Sequence, residues 1–230
     1  MTELAEHLSR IVNHPHNWDF SGAGQLYAGV DIGTYKAIVI VVDEMGVPRA
    51  ATMRRAEVVR SGLIVDYAGA RNMVSEMIKD LRDSSPLPIE KGATSYPPQT
   101  ESANINATRY ILEGLGLDVF IVLDEPTAAK CVLKLDNGAI VDVGGGTTGI
   151  AVIKNGKIVF TDDEATGGVN LSLVFAGNYN ISYEQAEEVK IDRQRNREIL
   201  PIVRPVIEKI ASIVASYLQP FDDLTKVCLV

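Results

Sequence analysis

Carboxylates set beside glycines at the ends of apolar strands are the groups in this 230-residue chain whose types and spacing suit chemistry. Asp31-Ile32-Gly33-Thr34 follows one apolar run, and Asp142-Val143-Gly144-Gly145-Gly146-Thr147 follows another, with Asp142 lying 111 positions after Asp31. In both, a strand delivers an Asp at its end, glycine lets the backbone turn tightly, and Thr offers a hydroxyl and N–H groups on the way into the next strand. Phosphate oxygens bind clusters of backbone N–H groups, and only glycine lets the main chain approach that closely; Gly33, Gly145 and Gly146 suit that role. Asp31 and Asp142 beside a polyphosphate would repel it unless a hard cation lay between, which Mg²⁺ with retained waters supplies. Two such hairpins facing each other would form a clamp. A lone Asp-x-Gly-Thr is also what an ordinary polar turn looks like, whereas the ordered pair is far more specific.

A third stretch, Leu123-Asp124-Glu125-Pro126-Thr127-Ala128-Ala129, reads as a strand passing into a helix, with Asp124 or Glu125 near the cap and Pro126 in the first turn. A carboxylate there points toward the cleft expected between the halves, where Glu125 would orient an attacking water directly or through a metal's hydration shell. No G-x-x-x-x-G-K-[ST] occurs, which excludes a Walker-type loop.

The elements that must position these residues are legible as patterns. LYAGVDIG, KAIVIVVD and VPRAATM read as three strands in hairpins, and Tyr67 to Leu81 carries Ala68, Val74, Met77, Ile78 and Leu81 on one helical face. The strand ATSYP, a helix around 104–115, the strand VFIVLD and a helix starting at Pro126 follow, an alternation that argues α/β architecture. The pattern then restarts: GAIVDVGG, TGIAVIK, an Asn155-Gly156 turn and KIVFT form a meander. A helical region to about Tyr217 comes next, with interruptions expected at Pro201 and Pro205, and the chain closes on the apolar strand KVCLV. Ahead of all this, Leu4, Leu8, Ile11 and Val12 make an amphipathic helix on a Pro- and Gly-containing linker. Such a helix docks either on a partner or on its own body.

Composition narrows the function classes. With 46% apolar residues, 22 Lys and Arg against 30 Asp and Glu, and no basic block, the chain is an ordinary globular protein without a nucleic-acid footprint. All three histidines fall within the first 16 residues, so Ser-His-Asp and Cys-His catalysis are not expected of the main body. Cys131 and Cys228 have no partner at ligand spacing and read as buried thiols of a reducing compartment. No apolar run reaches membrane-spanning length, and a cytoplasmic protein is expected.

The two loops and the Glu-Pro-Thr-Ala helix between them, in that order, resemble the actin/DnaK-type sugar-kinase ATPase superfamily. The strings Gly62-Leu63-Ile64-Val65-Asp66, Ala93-Thr94-Ser95-Tyr96-Pro97-Pro98 and Asp163-Glu164-Ala165-Thr166-Gly167-Gly168 look more particularly like the ethanolamine-utilization EutJ family, over about Tyr27 to Val230. The resemblance implies an α/β, duplicated actin-like (ribonuclease H-like) fold of two domains, 26–136 and an incomplete 137–230, after an N-terminal helix and linker at 1–25. It implies ATP or ADP and Mg²⁺ as cofactors. Asp31, Gly33 and Thr34 match the first phosphate loop, and Asp142, Gly144, Gly145, Gly146 and Thr147 the second. Glu125 and Asp142 would be catalytic, and Asp31 and Asp142 would hold the metal. Gly167 and Gly168 match a turn that approaches the nucleotide, a plain turn being the alternative. Glu187 and Lys190 match a Glu and Lys gripping ribose and purine, the alternative being a solvated ion pair at i, i+3.

Two departures stand out. The Gly-Gly turn of the family's adenosine motif should follow KVCLV, so weak nucleotide affinity and at most weak ATP hydrolysis are expected of the chain as given. Lys36 follows the first loop, where the DnaK-type catalytic lysine would not be placed, so that lysine's role has no clear counterpart. The function implied is a nucleotide-switched, chaperone-like ATPase of ethanolamine utilization, with ethanolamine ammonia-lyase or bacterial-microcompartment shell proteins as clients. A non-hydrolysing actin-like scaffold, acting as a homo-oligomer, is the alternative, and a small-molecule kinase is the weakest reading.

Overall fold

The computed structural model describes residues 2–56, 58–60 and 63–230, so Gly62 of the string above lies outside the described residues. The chain divides into two compact units, Met1–Leu133 and Lys134–Val230.

The first unit runs α1 (Thr2–Ile11), β1 (Leu26–Ile32), β2 (Lys36–Asp43), β3 (Pro48–Arg55), a small hairpin of β4 (Val59–Arg60) and β5 (Leu63–Ile64), α2 (Tyr67–Ser84), β6 (Lys91–Tyr96), α3 (Ser102–Glu113), β7 (Asp118–Asp124) and α4 (Glu125–Leu133). Period-two alternation makes the strands: Ala37, Val39 and Val41 of β2 are fully buried, with half-buried Ile38, Ile40 and Val42 between them. α2 starts where Asp66 accepts from the Gly69 N–H at 2.9 Å, and it buries Val74, Met77, Ile78 and Leu81. These join Ile111 and Leu112 of α3 against Ala28, Val30, Val39 and Val41, each large side chain contributing about 1.5–3 kcal/mol of burial. The sheet order is β3-β2-β1-β6-β7. β1 is antiparallel to β2 and parallel to β6, and β6 is parallel to β7. Three strands therefore end at one edge, the arrangement that positions Asp31 and Glu125.

The amphipathic α1 docks on its own unit. Ile11 is 2% exposed, Val12 bridges Ala51, and the Trp18 indole N–H donates to the Ile11 carbonyl at 2.8 Å. Asn13, in left-handed backbone at φ 58°, extends the β3 ladder with its side chain, donating to the Met53 carbonyl at 2.9 Å and accepting from the Met53 N–H at 2.8 Å. An otherwise open sheet edge is thereby covered.

The second unit runs β8 (Gly138–Val143), β9 (Thr148–Lys154), β10 (Lys157–Glu164), α5 (Gly168–Tyr179), α6 (Tyr183–Ile191), α7 (Asn196–Leu218) and β11 (Val227–Leu229). Its sheet order is β10-β9-β8-β11, with β11 parallel to β8. The expected breaks at Pro201 and Pro205 do not occur, because α7 is continuous through both. The two prolines sit one turn apart on the exposed side, so the carbonyls they leave unbonded face water, while Ile199, Val203 and Ile210 are buried on the other side. Cys131 is exposed and Cys228 half-buried, correcting the expectation of two buried thiols. Among the described residues no helix is long and apolar enough to cross a membrane.

Candidate functional site

In the first unit the candidate residues gather on the shared C-terminal edge of β1, β6 and β7. Thr94 pairs with both Val30 and Val122, so the next positions along the three strands are Asp31, Ser95 and Leu123, with the Asp124-Glu125 step one residue beyond. The Ser95 hydroxyl donates to Asp31 Oδ1 at 3.2 Å across 64 residues of sequence. Burial pushes the Asp31 carboxyl upward from its ordinary value, and the Ser95 hydroxyl and the Lys36 charge pull it back. The turn itself is closed by the Gly33 N–H donating to the Lys36 carbonyl at 3.0 Å. A Cβ on Gly33 would approach that carbonyl oxygen to 3.2 Å, a contact the turn would have to shift to relieve.

At the end of β7 the cap belongs to Asp124. Its Oδ1 accepts from the Thr127 N–H at 2.9 Å and its Oδ2 from the Thr127 hydroxyl at 2.6 Å. Glu125 is then the first residue of α4 and half-buried.

The second unit repeats the device. The Gly144 N–H donates to the Thr147 carbonyl at 2.9 Å, as Gly33 does to Lys36. The ladders agree with that superposition, since Asp31 pairs with Ile38 and Asp142 with Gly149, each offset by 111. Thr147 is thus the counterpart of Lys36, and Thr34 is the counterpart of Gly145.

Gly167 and Gly168 act on the loop from behind. The N–H groups of Gly168 and Val169, at the start of α5, donate to the carbonyls of Gly144 and Gly145 at 2.9 and 2.8 Å. A trans peptide points its N–H opposite to its C=O, so these two bonds turn the Gly145 and Gly146 N–H groups away from α5. Two successive N–H groups facing one way form an anion-binding nest, and with no Cβ on either glycine an oxygen can approach both. Gly167 has to be glycine because its Cβ would meet the Gly144 carbonyl oxygen at 2.6 Å.

Glu187 and Lys190 join the same patch. Lys190 Nζ donates to the Gly168 carbonyl at 3.0 Å and to Glu187 Oε1, which also accepts from the Ser172 hydroxyl. Glu187 is 2% exposed, so the pair is not a solvated one, and its Oε2 is buried without a hydrogen-bond partner.

Asp163 lies beside the second unit's candidate residues although its place in the sequence pattern points to a turn. β10 continues past the expected KIVFT through Asp162-Asp163-Glu164, and Asp163 pairs with Gly149, the residue that pairs on its other side with Asp142. Its carboxyl is pushed up to about 6, by burial first and then by Asp162, Asp142 and Glu164, with the Thr147 hydroxyl opposing. A carboxyl whose folded value exceeds the unfolded one destabilises the fold once ionised: the cost is absent below about 4, grows between about 4 and 6, and is complete above that. The full shift would correspond to about 3 kcal/mol, and the solvent reaching this half-exposed group reduces that to roughly 1 kcal/mol. Asp163→Asn is therefore expected to raise Tm by roughly 2–4 °C at pH 7.5 in EDTA and to leave it unchanged at pH 3.5. Calorimetric scans at the two pH values check this, and an equal change at both would refute the assignment.

The residues present fit a magnesium-bound nucleotide. The nest suits phosphate, and the orphaned Asp163 Oδ1 and Glu187 Oε2 await a donor or a cation's water. Among the described residues no three His, Cys, Asp or Glu side chains converge on a metal position. Mg²⁺ is typically held by one or two carboxylates, phosphates and retained waters.

Comparison with known proteins places this geometry. A family model described as type IV pilus assembly protein PilM matches residues 124–227. Ethanolamine utilization protein EutJ of Escherichia coli K12 is 46% identical over 195 residues, 84% of this chain and 68% of that protein. The crystal structure of EutJ from Carboxydothermus hydrogenoformans superposes with a TM-score of 0.90 at 40% identity, over 99% of this chain and 85% of that one. MreB5 of Spiroplasma citri bound to AMPPNP superposes with a TM-score of 0.68 at 17% identity, over 87% of this chain and 80% of that one, a likeness of fold.

Proposed function

This chain belongs to the EutJ family of ethanolamine-utilization proteins, with the actin-like ATPase fold, and from that premise we propose that it binds ATP and ADP with Mg²⁺ and switches conformation with the nucleotide. The observation that carries the reading is the duplicated Asp-x-Gly turn, closed by the same hydrogen bond in both units and held in the same ladder register. The Gly145 and Gly146 N–H groups bind phosphate oxygens, as does the backbone of the Gly33-Thr34 turn. Asp142 and Asp31 hold the waters of the cation. Mg²⁺, when bound, neutralises charge on the phosphate oxygens. Glu187 and Lys190 take the ribose, with Glu187 Oε2 accepting a sugar hydroxyl, and Glu125 orients the attacking water. The MreB5 relative is described as bound to AMPPNP, which supports the nucleotide class.

Calorimetric titration of the protein with ADP and MgCl₂ tests the binding, and heat no different from buffer would remove the reading. Phosphate release from ATP tests turnover. Glu125→Gln is expected to keep ADP affinity within twofold while slowing release roughly 100-fold or more, the range of a general base. Equal turnover in mutant and parent would take Glu125 out of the mechanism. The clients proposed are ethanolamine ammonia-lyase or shell proteins of a bacterial microcompartment, with the protein cytoplasmic and acting as a chaperone. A non-hydrolysing, polymerising scaffold is the second reading, supported by the match to the pilus-assembly model. Sedimentation with ATP separates the two: pelleting supports the scaffold, and phosphate release without pelleting supports the switch.

A further inference from the structure

The two units share the Asp-x-Gly device but differ in the row of side chains that begins at its Asp. Directly opposed residues of neighbouring strands point to the same face of a sheet. In the first unit the row beginning at Asp31 continues through Ile38 of β2 to Met53 of β3. In the second, the equivalent row beginning at Asp142 continues through Gly149 of β9 to Asp163 of β10. Where the first unit has two large apolar residues, the second has a glycine and an acid. Gly149 puts no side chain between the two carboxylates. Asp163 Oδ1 is enclosed and accepts no hydrogen bond, whereas a buried acceptor kept only for structure is almost always satisfied. Strands two apart lie about 9.5 Å from one another, a span that accommodates an ion keeping part of its water shell.

We propose that Asp163 is a positioning residue for the cation of the bound nucleotide, holding that cation's water shell together with Asp142 across the gap left by Gly149. The inference rests on the nucleotide reading above and extends it. The second unit then holds the cation's shell from two sides, where the equivalent row of the first unit has the single carboxylate of Asp31. Lys36 fits that division: it stands where the second unit has Thr147, and its charge already compensates Asp31.

Calorimetry with ADP, in MgCl₂ and again in EDTA, tests this on the whole chain. The quantity read is the ratio of the two affinities. Asp163→Asn is expected to cut the Mg²⁺ enhancement at least fivefold while leaving the affinity in EDTA unchanged or slightly higher, because a negative charge beside the phosphates is gone. Asp162→Asn makes the same change of charge one residue earlier, on the opposite face of β10, and is expected to keep the enhancement within twofold. An unchanged enhancement in Asp163→Asn, an equal loss in both variants, or no Mg²⁺ enhancement in the unmodified protein overturns the inference while leaving nucleotide binding intact. No ADP binding in either medium overturns the nucleotide reading and this inference with it.

Discussion

Asp142→Ala is expected to lower Mg²⁺-dependent ADP affinity at least tenfold, and up to a hundredfold. The residue stands at the end of β8, directly before the loop whose N–H groups face outward, and it lines the same row as Asp163. A hydrogen bond to a charged group contributes about 1.5–3 kcal/mol, and a carboxylate holding two waters of a cation makes more than one. Asp142→Asn keeps the shape and loses the charge, so it should reproduce most of the loss. In EDTA both variants should bind ADP as the parent does, because the carboxylate then has no cation to hold and only repels phosphate. Calorimetric titration in the two media decides the matter. An affinity in MgCl₂ within twofold of the parent would remove Asp142 from the metal's shell.

The second large effect is steric. A Cβ at position 167 would lie 2.6 Å from the Gly144 carbonyl oxygen, 2.8 Å from that of Gly145 and 3.0 Å from the Gly145 carbonyl carbon. All three are backbone atoms, so no side chain can rotate away. Either the loop or the start of α5 must move, and both options break the bonds from Gly168 and Val169 that orient the nest. Gly167→Ala is expected to destabilise by about 3 kcal/mol, in the range of overpacked interiors, which corresponds to roughly 6–12 °C in Tm for a chain of this size. Nucleotide affinity should fall with it. Gly177, within α5, is the control, since its Cβ would meet nothing within 4 Å and its backbone is helical. Gly177→Ala should raise stability by about 0.5–1 kcal/mol through helix propensity alone. Thermal scans that move the two variants in the same direction would contradict the packing described between Gly167 and the loop.

Much of the site was legible because its signals are short in sequence. The strands of both units announce themselves by alternation, and the Asp-x-Gly turns by glycines that follow an apolar run. Asp124 and Thr127 cap a helix three residues apart, a span that any reader of the sequence can check. The repeat at 111 positions likewise needed only comparison of one half with the other.

What the chain alone left open depends on partners distant along it. Asp163 reads locally as one of three acidic residues in a turn, and only the β9 ladder shows it sharing Gly149 with Asp142, 21 positions away. Glu187 and Lys190 have the spacing of a surface ion pair; burial under α5, with Ser172 as a second donor, makes them something else. Pro201 and Pro205 ordinarily end a helix, yet tertiary packing of Ile199 and Val203 carries α7 through them, since the unbonded carbonyls are left to water. The apolar stripe of α1 fixes that the helix must dock, and the edge of β3 decides where. Sequence determined the backbone devices, because turns, caps and strand periodicity are set by neighbouring residues. Tertiary structure decided which side chains share an environment, because desolvation and charge coupling depend on distance in space.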